Sequence, residues 1–491
     1  MRRTYIYKPR LNTVSYLVLL PFVMLMGCKK FVEIPPPVTQ LVTASVFDNS
    51  TTATSAQTSI YTQMVSSSGR DSYWLSVYSG LLADELTNYS TSINFVDYYT
   101  NAMNAATGNM FGRWSFYYNY IYQANAVISA LQGNSSISPA IEQQLIGEAE
   151  FVRAFWLFYL TNCYGNVPIV TSTNYTVNAT IARSPQVQVY QQIISDLTDA
   201  QQKLNNNYID DSDTTTTTER TRPNKAVAES FLARVYLYMG RYDSATYYSG
   251  LVINNNQYQL CHDLSLLMNP NSSNYVFMAN STEAIWQLAI PLPSSANTQD
   301  ALRFILLGAP STGEVNCTTI SPQLLGAFET GDLRRKYWID SVNPTAPYYY
   351  YPFKYQNISN NVTEYDMVFR LAEQYLIRAE AEAQLNDLID AASDLNVIRN
   401  RAGLPNISNS IASSQTSLFA AILHERQVEL FTEWGHRWFD LIRTGNVNSV
   451  MGSPGNVCNA KGGTWNSYDT LFPIPPSDIM LDHNLSQNAG Y

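Results

Sequence analysis

Apolar positions along most of this chain recur with helical spacing, and the clearest runs come in pairs. Ala228, Leu232, Val235 and Met239 share one face of a predicted helix, Gly240 breaks the run, and Tyr242-Asp243 leads into a second helix bearing Ala245, Tyr248 and Val252. The pattern returns with Ala372, Leu376, Ala379 and Ala383, a turn at Asn386-Asp387, then Leu388, Ala391, Leu395 and Ile398 before Gly403 and Pro405 end it. In each pair a small residue, Ala245 or Ala391, follows the turn by five positions and lets the two helices approach closely. Further helices are predicted over 113–131, 141–160, 187–204 and 418–434. The second half of 141–160, from Phe151 to Leu160, is apolar almost all round, which marks a central buried helix.

The helix pairs, with Tyr236-x-x-Met239-Gly240-x-Tyr242-x-x-Ala245, resemble the tetratricopeptide repeat. Between the helices lie Asn- and Ser-rich stretches with scattered aromatics at 86–110, 205–222, 254–281, 291–318 and 340–362, expected to be long irregular loops. Thr214 to Thr218 is a low-complexity loop.

The N-terminus has a separate character. Arg2, Arg3, Lys8 and Arg10 precede an apolar run from Val14 to Met26 that is short for a membrane span, and Leu25-Met26-Gly27-Cys28 resembles the bacterial lipobox. The expectation is a signal peptide over 1–27, lipidation of Cys28 as the new first residue, and a tether over 28–40 stiffened by Pro35-Pro36-Pro37. Loss of four basic residues takes the formal net charge from −10 to about −14. So acidic a chain is not expected to bind nucleic acid.

Only 14% of the 491 residues are charged, while 35 are Tyr, so much of the surface must be amide, hydroxyl and phenol. Such a surface suits neutral ligands. Cys163, Cys261, Cys317 and Cys458 lack CxxC spacing and suggest neither zinc nor redox chemistry, leaving four buried thiols or one bridge as readings. No P-loop, GxGxxG or GxSxG motif occurs, and Asp211-Ser212-Asp213 lacks the glycine of a calcium loop. The expectation is a protein that is no enzyme and has neither metal nor cofactor. Glu425, Glu429 and Glu433 form a ridge at i, i+4 and i+8 that would repel itself without cations; Arg426, His436 and Arg437, or Arg399 and Arg401, are the candidates to neutralise it in a structural ion-pair network.

Flat rings can cover the apolar face of a sugar while amides satisfy its hydroxyl rim. Tyr73, Trp74, Asn88, Tyr89, Phe95, Tyr98 and Tyr99 cluster early and form the candidate ligand platform, and Tyr348 to Tyr351 with Phe353 and Tyr355 form a second aromatic run. Trp114, Trp156, Trp434 and Trp438 sit in apolar helical patterns and are assigned to core.

Several ordered blocks carry a further signal. They are Glu150-x-x-Arg153-Ala154-Phe155 through Tyr164-Gly165-Asn166-Val167-Pro168, Ala233 to Tyr238, and Glu380-Ala381 on to Asn396-x-Ile398-Arg399-x-Arg401-Ala402-Gly403-Leu404. Glu425-Arg426 to Glu429-Leu430, Arg437 to Leu441, Phe472-Pro473-Ile474-Pro475 and the ending Gln487 to Tyr491 complete the set. Together these blocks are similar to the SusD/RagB family of outer-membrane nutrient-binding lipoproteins from Bacteroidetes. The resemblance implies an all-α scaffold over 41–491 with tetratricopeptide-like pairs, held by lipid on the cell surface. It further implies non-catalytic capture of glycan for a SusC-like TonB-dependent transporter. A peptide-binding importer subunit of the same family and a helical-repeat scaffold for protein partners are the alternatives.

Overall fold

The computed structural model describes residues 46–66, 71–105, 111–291, 297–343 and 347–491. The signal segment, Cys28 and the tether therefore lie outside the described residues.

The longest helices follow the apolar pattern closely. In chain order they are α1 (Ser50–Val65), α2 (Asp71–Leu82), α3 (Ile93–Tyr99), α4 (Phe111–Leu131), α5 (Pro139–Tyr164) and α6 (Gln186–Lys203). The two hairpins follow as α7 (Lys225–Tyr238) with α8 (Tyr242–Ile253), and α9 (Leu371–Gln384) with α10 (Leu388–Arg401); α11 (Gln415–Glu429) and α12 (His436–Arg443) come last. Both hairpins turn at a residue in the left-handed region, Gly240 at φ 66° and Asn386 at φ 66°, the two residue types that adopt it at least cost. Ala245 and Ala391 are fully buried. Ala245 packs with Ala233, Leu237, Ile377 and Ala381, so the small side chain joins one hairpin to the next as well as closing its own.

Helix α5 is the axis of the core, flanked by α4 and α6. Phe155 on α5 meets Trp286, Phe231, Phe369 and Trp434 at ring-centroid distances of 5.4 to 6.2 Å, mostly edge-to-face. Trp114, Trp156, Trp434 and Trp438 are all buried, as their apolar surroundings imply. The four cysteines beyond Cys28 are buried free thiols without a bridge.

Among the described residues the strands form short antiparallel ladders, beside a few isolated bridges. β1 (Leu86–Asn88) pairs with β3 (Thr318–Ile320), β2 (Ala284–Leu288) with β6 (Asp366–Arg370), and β4 (Ile339–Val342) with β5 (Tyr349–Pro352). The fold is thus mostly helical, as the sequence suggests. Three segments expected to be irregular contribute regular elements: 86–110 holds β1 and α3, 291–318 holds a short helix over Gln299–Phe304 and the first residue of β3, and 340–362 contributes to the β4–β5 hairpin.

A second difference concerns the helix expected over 418–434. Helix α11 stops at Glu429, and Thr432, Trp434 and Gly435 follow in the left-handed region. The cause is tertiary. Lys354 Nζ donates to the carbonyls of Glu429 and Phe431 at 2.8 Å each, and Arg370 Nη2 donates to the Glu429 carbonyl at 2.8 Å, so side chains satisfy the end of the helix.

Beneath this turn lies a buried charge girdle. Glu429 accepts from Arg334, Arg370 and Arg401; Glu425 pairs with Arg334 and Arg399; Glu433 with Arg370 and Lys354; and Glu283 with Arg370 and Arg401. Burial alone would raise the Glu429 carboxyl, but Arg401, Arg370 and Arg334 overcome it and hold the group well below the usual carboxylate range. Of the expected counter-ions, Arg399 and Arg401 serve this ridge. Arg426 turns instead to Asp440 and Arg437 to Asp84, while burial and nearby guanidiniums depress His436 well below its ordinary value and keep it neutral. Glu329, His424 and Glu425 lie close enough to suggest a metal cluster, but the Arg399 guanidinium already bridges the two carboxylates.

Candidate functional site

One partly exposed aromatic face is assembled from two regions far apart in sequence. Strand β1 runs out into Tyr89, whose N–H donates to the Cys317 carbonyl at 2.8 Å just before β3. Thr91 donates from N to the Thr312 carbonyl at 3.0 Å, and Ser92 Oγ to Glu314 Oε1 at 2.6 Å, which fastens the loop after β1 to the loop before β3. β3 also packs against β5, and this brings the Tyr349 ring edge-on to Tyr89 at 5.7 Å. The two aromatic runs found in the sequence thereby meet.

Alternation along β5 separates its rings by face. Tyr348, 52% exposed, stacks beside Tyr350 at 6.2 Å, and the Arg335 guanidinium lies 4.7 Å from the Tyr350 ring centre. Tyr351 turns inward toward Asp340 and Phe353. Tyr348 and Tyr350 therefore lie on one face of the strand, and exposed Tyr89 (38%) with half-buried Tyr349 borders a rim on the other. Loop 305–316 extends it with an open groove of about 430 Å³ lined by Leu302, Leu307, Val315 and Ile358.

The seven candidate platform residues divide. Tyr73, Phe95 and Tyr98 are buried in the core, each 2% exposed or less, so their ring faces contact protein. They lie on α2 and α3, where the helical repeat points them at Phe304, Tyr78 and Phe472. Trp74 is half-buried, stacked on Tyr78 at 5.1 Å with the Arg303 guanidinium 5.8 Å from its centre. Asn88 closes its own turn, donating to the Ser90 carbonyl and accepting from Ser90 N at 2.9 Å each. Tyr99 is half-buried, with Lys461 Nζ 5.4 Å from its ring centre, and burial raises its phenol. Tyr89 alone of the seven stands open at the rim. Residues of loop 305–316 were not singled out from sequence, although Leu306-Leu307 inside a Gly- and Ser-rich loop is an available signal.

The blocks that carry the family resemblance occupy a different place. Arg153 grips Asp196 through two bonds of 2.6 and 2.8 Å, Arg234 grips Glu373, and Glu380 receives Arg443, all in the interior. Asn488 near the chain end donates to the carbonyls of Tyr164 and Phe472. These groups hold the scaffold and take no part in the rim.

Residues 31–237 match the family model described as "Starch-binding associating with outer membrane", and residues 334–491 match the SusD family model. A SusD-like protein of Formosa agariphila is 26% identical over 97% of this chain and 99% of its own length. Among solved structures, a SusD superfamily protein from Bacteroides vulgatus superposes with TM-score 0.75 at 20% identity, covering 90% of this chain and 99% of that one. A laminarin-binding SusD-like protein does so with TM-score 0.71 at 21% identity, covering 90% and 99%. Ordered blocks, mostly helical architecture and these matches agree: the chain belongs to the SusD/RagB family.

Proposed function

We propose that this protein binds neutral glycan at the rim around Tyr89 and Tyr349, does no chemistry on it, and passes it to a SusC-like TonB-dependent transporter in the outer membrane. The observation that carries the reading is the Tyr89–Tyr349 contact, which gathers partly exposed rings from two loops into one border. A ring face covers the apolar side of a pyranose, and nearby hydroxyls and amides meet its edge. The starch-binding description of one family model and the laminarin-binding neighbour support glycan as the ligand class. Lipidation at Cys28 would hold the protein at the membrane surface; among the described residues no helix is long and apolar enough to cross a membrane.

Affinity electrophoresis through gels carrying starch, laminarin, xylan or galactomannan tests the reading. At least one polymer should retard the protein and be recovered unshortened. Uniform mobility in all four gels, or release of shorter sugars, would contradict it. Cys28→Ala should move the protein from the membrane fraction to the soluble one, and sedimentation with membranes as before would count against the anchor.

A further inference from the structure

A second opening lies beyond the far end of α3. The turn Thr100–Ala105 on one side and segments 462–469 and 490–491 on the other enclose an open cleft of about 600 Å³. We infer that this cleft is a second carbohydrate subsite, separate from the Tyr89 rim, that takes a neutral sugar unit against the ring of Tyr468. The inference rests on the glycan reading above and extends it to a new place on the molecule.

Three observations carry it. The first is the ring. Tyr468 is 41% exposed although Gly490 lies directly against it, where a Cβ would come within 2.3 Å of the ring, and Tyr491 meets it edge-on at 5.9 Å. The ring is thus held from behind and from one edge while keeping a large open surface, the arrangement a stacked sugar needs.

The second is rigidity. Lys461 Nζ donates to the carbonyls of Leu81, Leu82 and Ala83 at 2.7, 2.9 and 3.0 Å, capping α2. From the opposite wall Asn101 Nδ2 donates to that same Leu82 carbonyl at 3.0 Å. Gly463 sits so close to Thr100 that a Cβ would fall 1.9 Å from the Thr100 carbonyl oxygen. Both walls are anchored to one helix end, so the opening exists before any ligand arrives.

The third is polarity. The side chains lining the cleft are mainly Asn, Thr and Tyr, with one carboxylate and no Lys or Arg. The carboxylate, Asp469, already accepts from Asn466 N at 2.8 Å. Among the described residues that line it no cation awaits an anionic sugar, whereas amides and hydroxyls suit a neutral one.

The test compares Tyr468→Ala and Ala102→Trp with Tyr89→Ala and the unaltered protein. Ala102 is exposed at the cleft, so Trp there obstructs the opening without entering the core. Each protein is run in the four polysaccharide gels and titrated calorimetrically with maltoheptaose, laminarihexaose, xylohexaose and mannohexaose. The unaltered protein should bind two equivalents of one of these oligosaccharides. Tyr468→Ala and Ala102→Trp should each retain one equivalent and weaken retention by the polymer by roughly threefold to tenfold. A single equivalent, removed by Tyr89→Ala and untouched by both cleft variants, would overturn the second subsite and leave the rim standing. Failure of the unaltered protein to bind any of the glycans would remove the glycan reading itself, and this inference with it.

Discussion

The girdle around Glu429 and the rim around Tyr89 place the same kinds of polar groups under opposite conditions. In the girdle, Arg334, Arg370, Arg401 and Glu429 are almost wholly removed from water, and each charge relies on its neighbours. At the rim, Thr91 bonds the Thr312 carbonyl and Ser92 bonds Glu314 near the surface, where water can replace either partner. The girdle therefore determines whether the chain holds its shape, while the rim is free to vary without endangering it. A charge-rich sequence block in this protein is a sign of architecture, and the binding residues are to be sought in the polar loops.

Three substitutions put that contrast under load. Glu429→Ala strips three buried guanidiniums of an acceptor, and loss of one member of a buried ionic network costs about 3–5 kcal/mol, which denaturant unfolding should reveal. A loss no larger than that of a surface variant would erase the distinction between the regions.

Glu85, at the border between them, comes next. Burial, with Asp84 adding to it, pushes its carboxyl up from 4.5 to about 8, and its Oε1 has no hydrogen-bond partner. Because the folded state holds this proton more tightly than the unfolded chain, Glu85 favours folding fully below pH 4.5, and that contribution is lost as pH rises toward 8. Glu85→Gln should consequently gain on the unaltered protein between those limits, by about 1–3 kcal/mol, the cost of an unsatisfied buried polar group. Parallel unfolding free energies at pH 5 and pH 8 would refute this. The smallest effect belongs to the rim, where Ser92→Ala should change stability by no more than about 0.5 kcal/mol in the same assay.

The sequence displays the hairpins because their signals are local. Alternating Ala and Leu at helical spacing, with Gly240 and Asn386 at the turns, need no distant partner to be read. The Glu ridge is half legible: three carboxylates demand cations, but Arg334, Arg370 and Lys354 arrive from other parts of the chain, and Lys354 is what stops α11 at Glu429. The platform is less legible still. Tyr73, Phe95 and Tyr98 match Tyr89 in type and setting, yet α2 and α3 direct them inward, and burial depends on what packs opposite. Nothing in the composition of either aromatic run reveals that the β1–β3 ladder and β5 will join Tyr89 to Tyr349. The cleft beside Tyr468 likewise depends on the chain end folding back, as Tyr491 OH donating to the Leu471 carbonyl shows.

The most direct test of the central claim pairs two readings on one variant, Tyr89→Ala: its melting temperature, and its mobility in a gel carrying whichever polysaccharide retards the unaltered protein. Glycan capture at the rim predicts an unchanged melting temperature with most of the retardation gone. A variant that melts at the same temperature and is held back as strongly as before would contradict it.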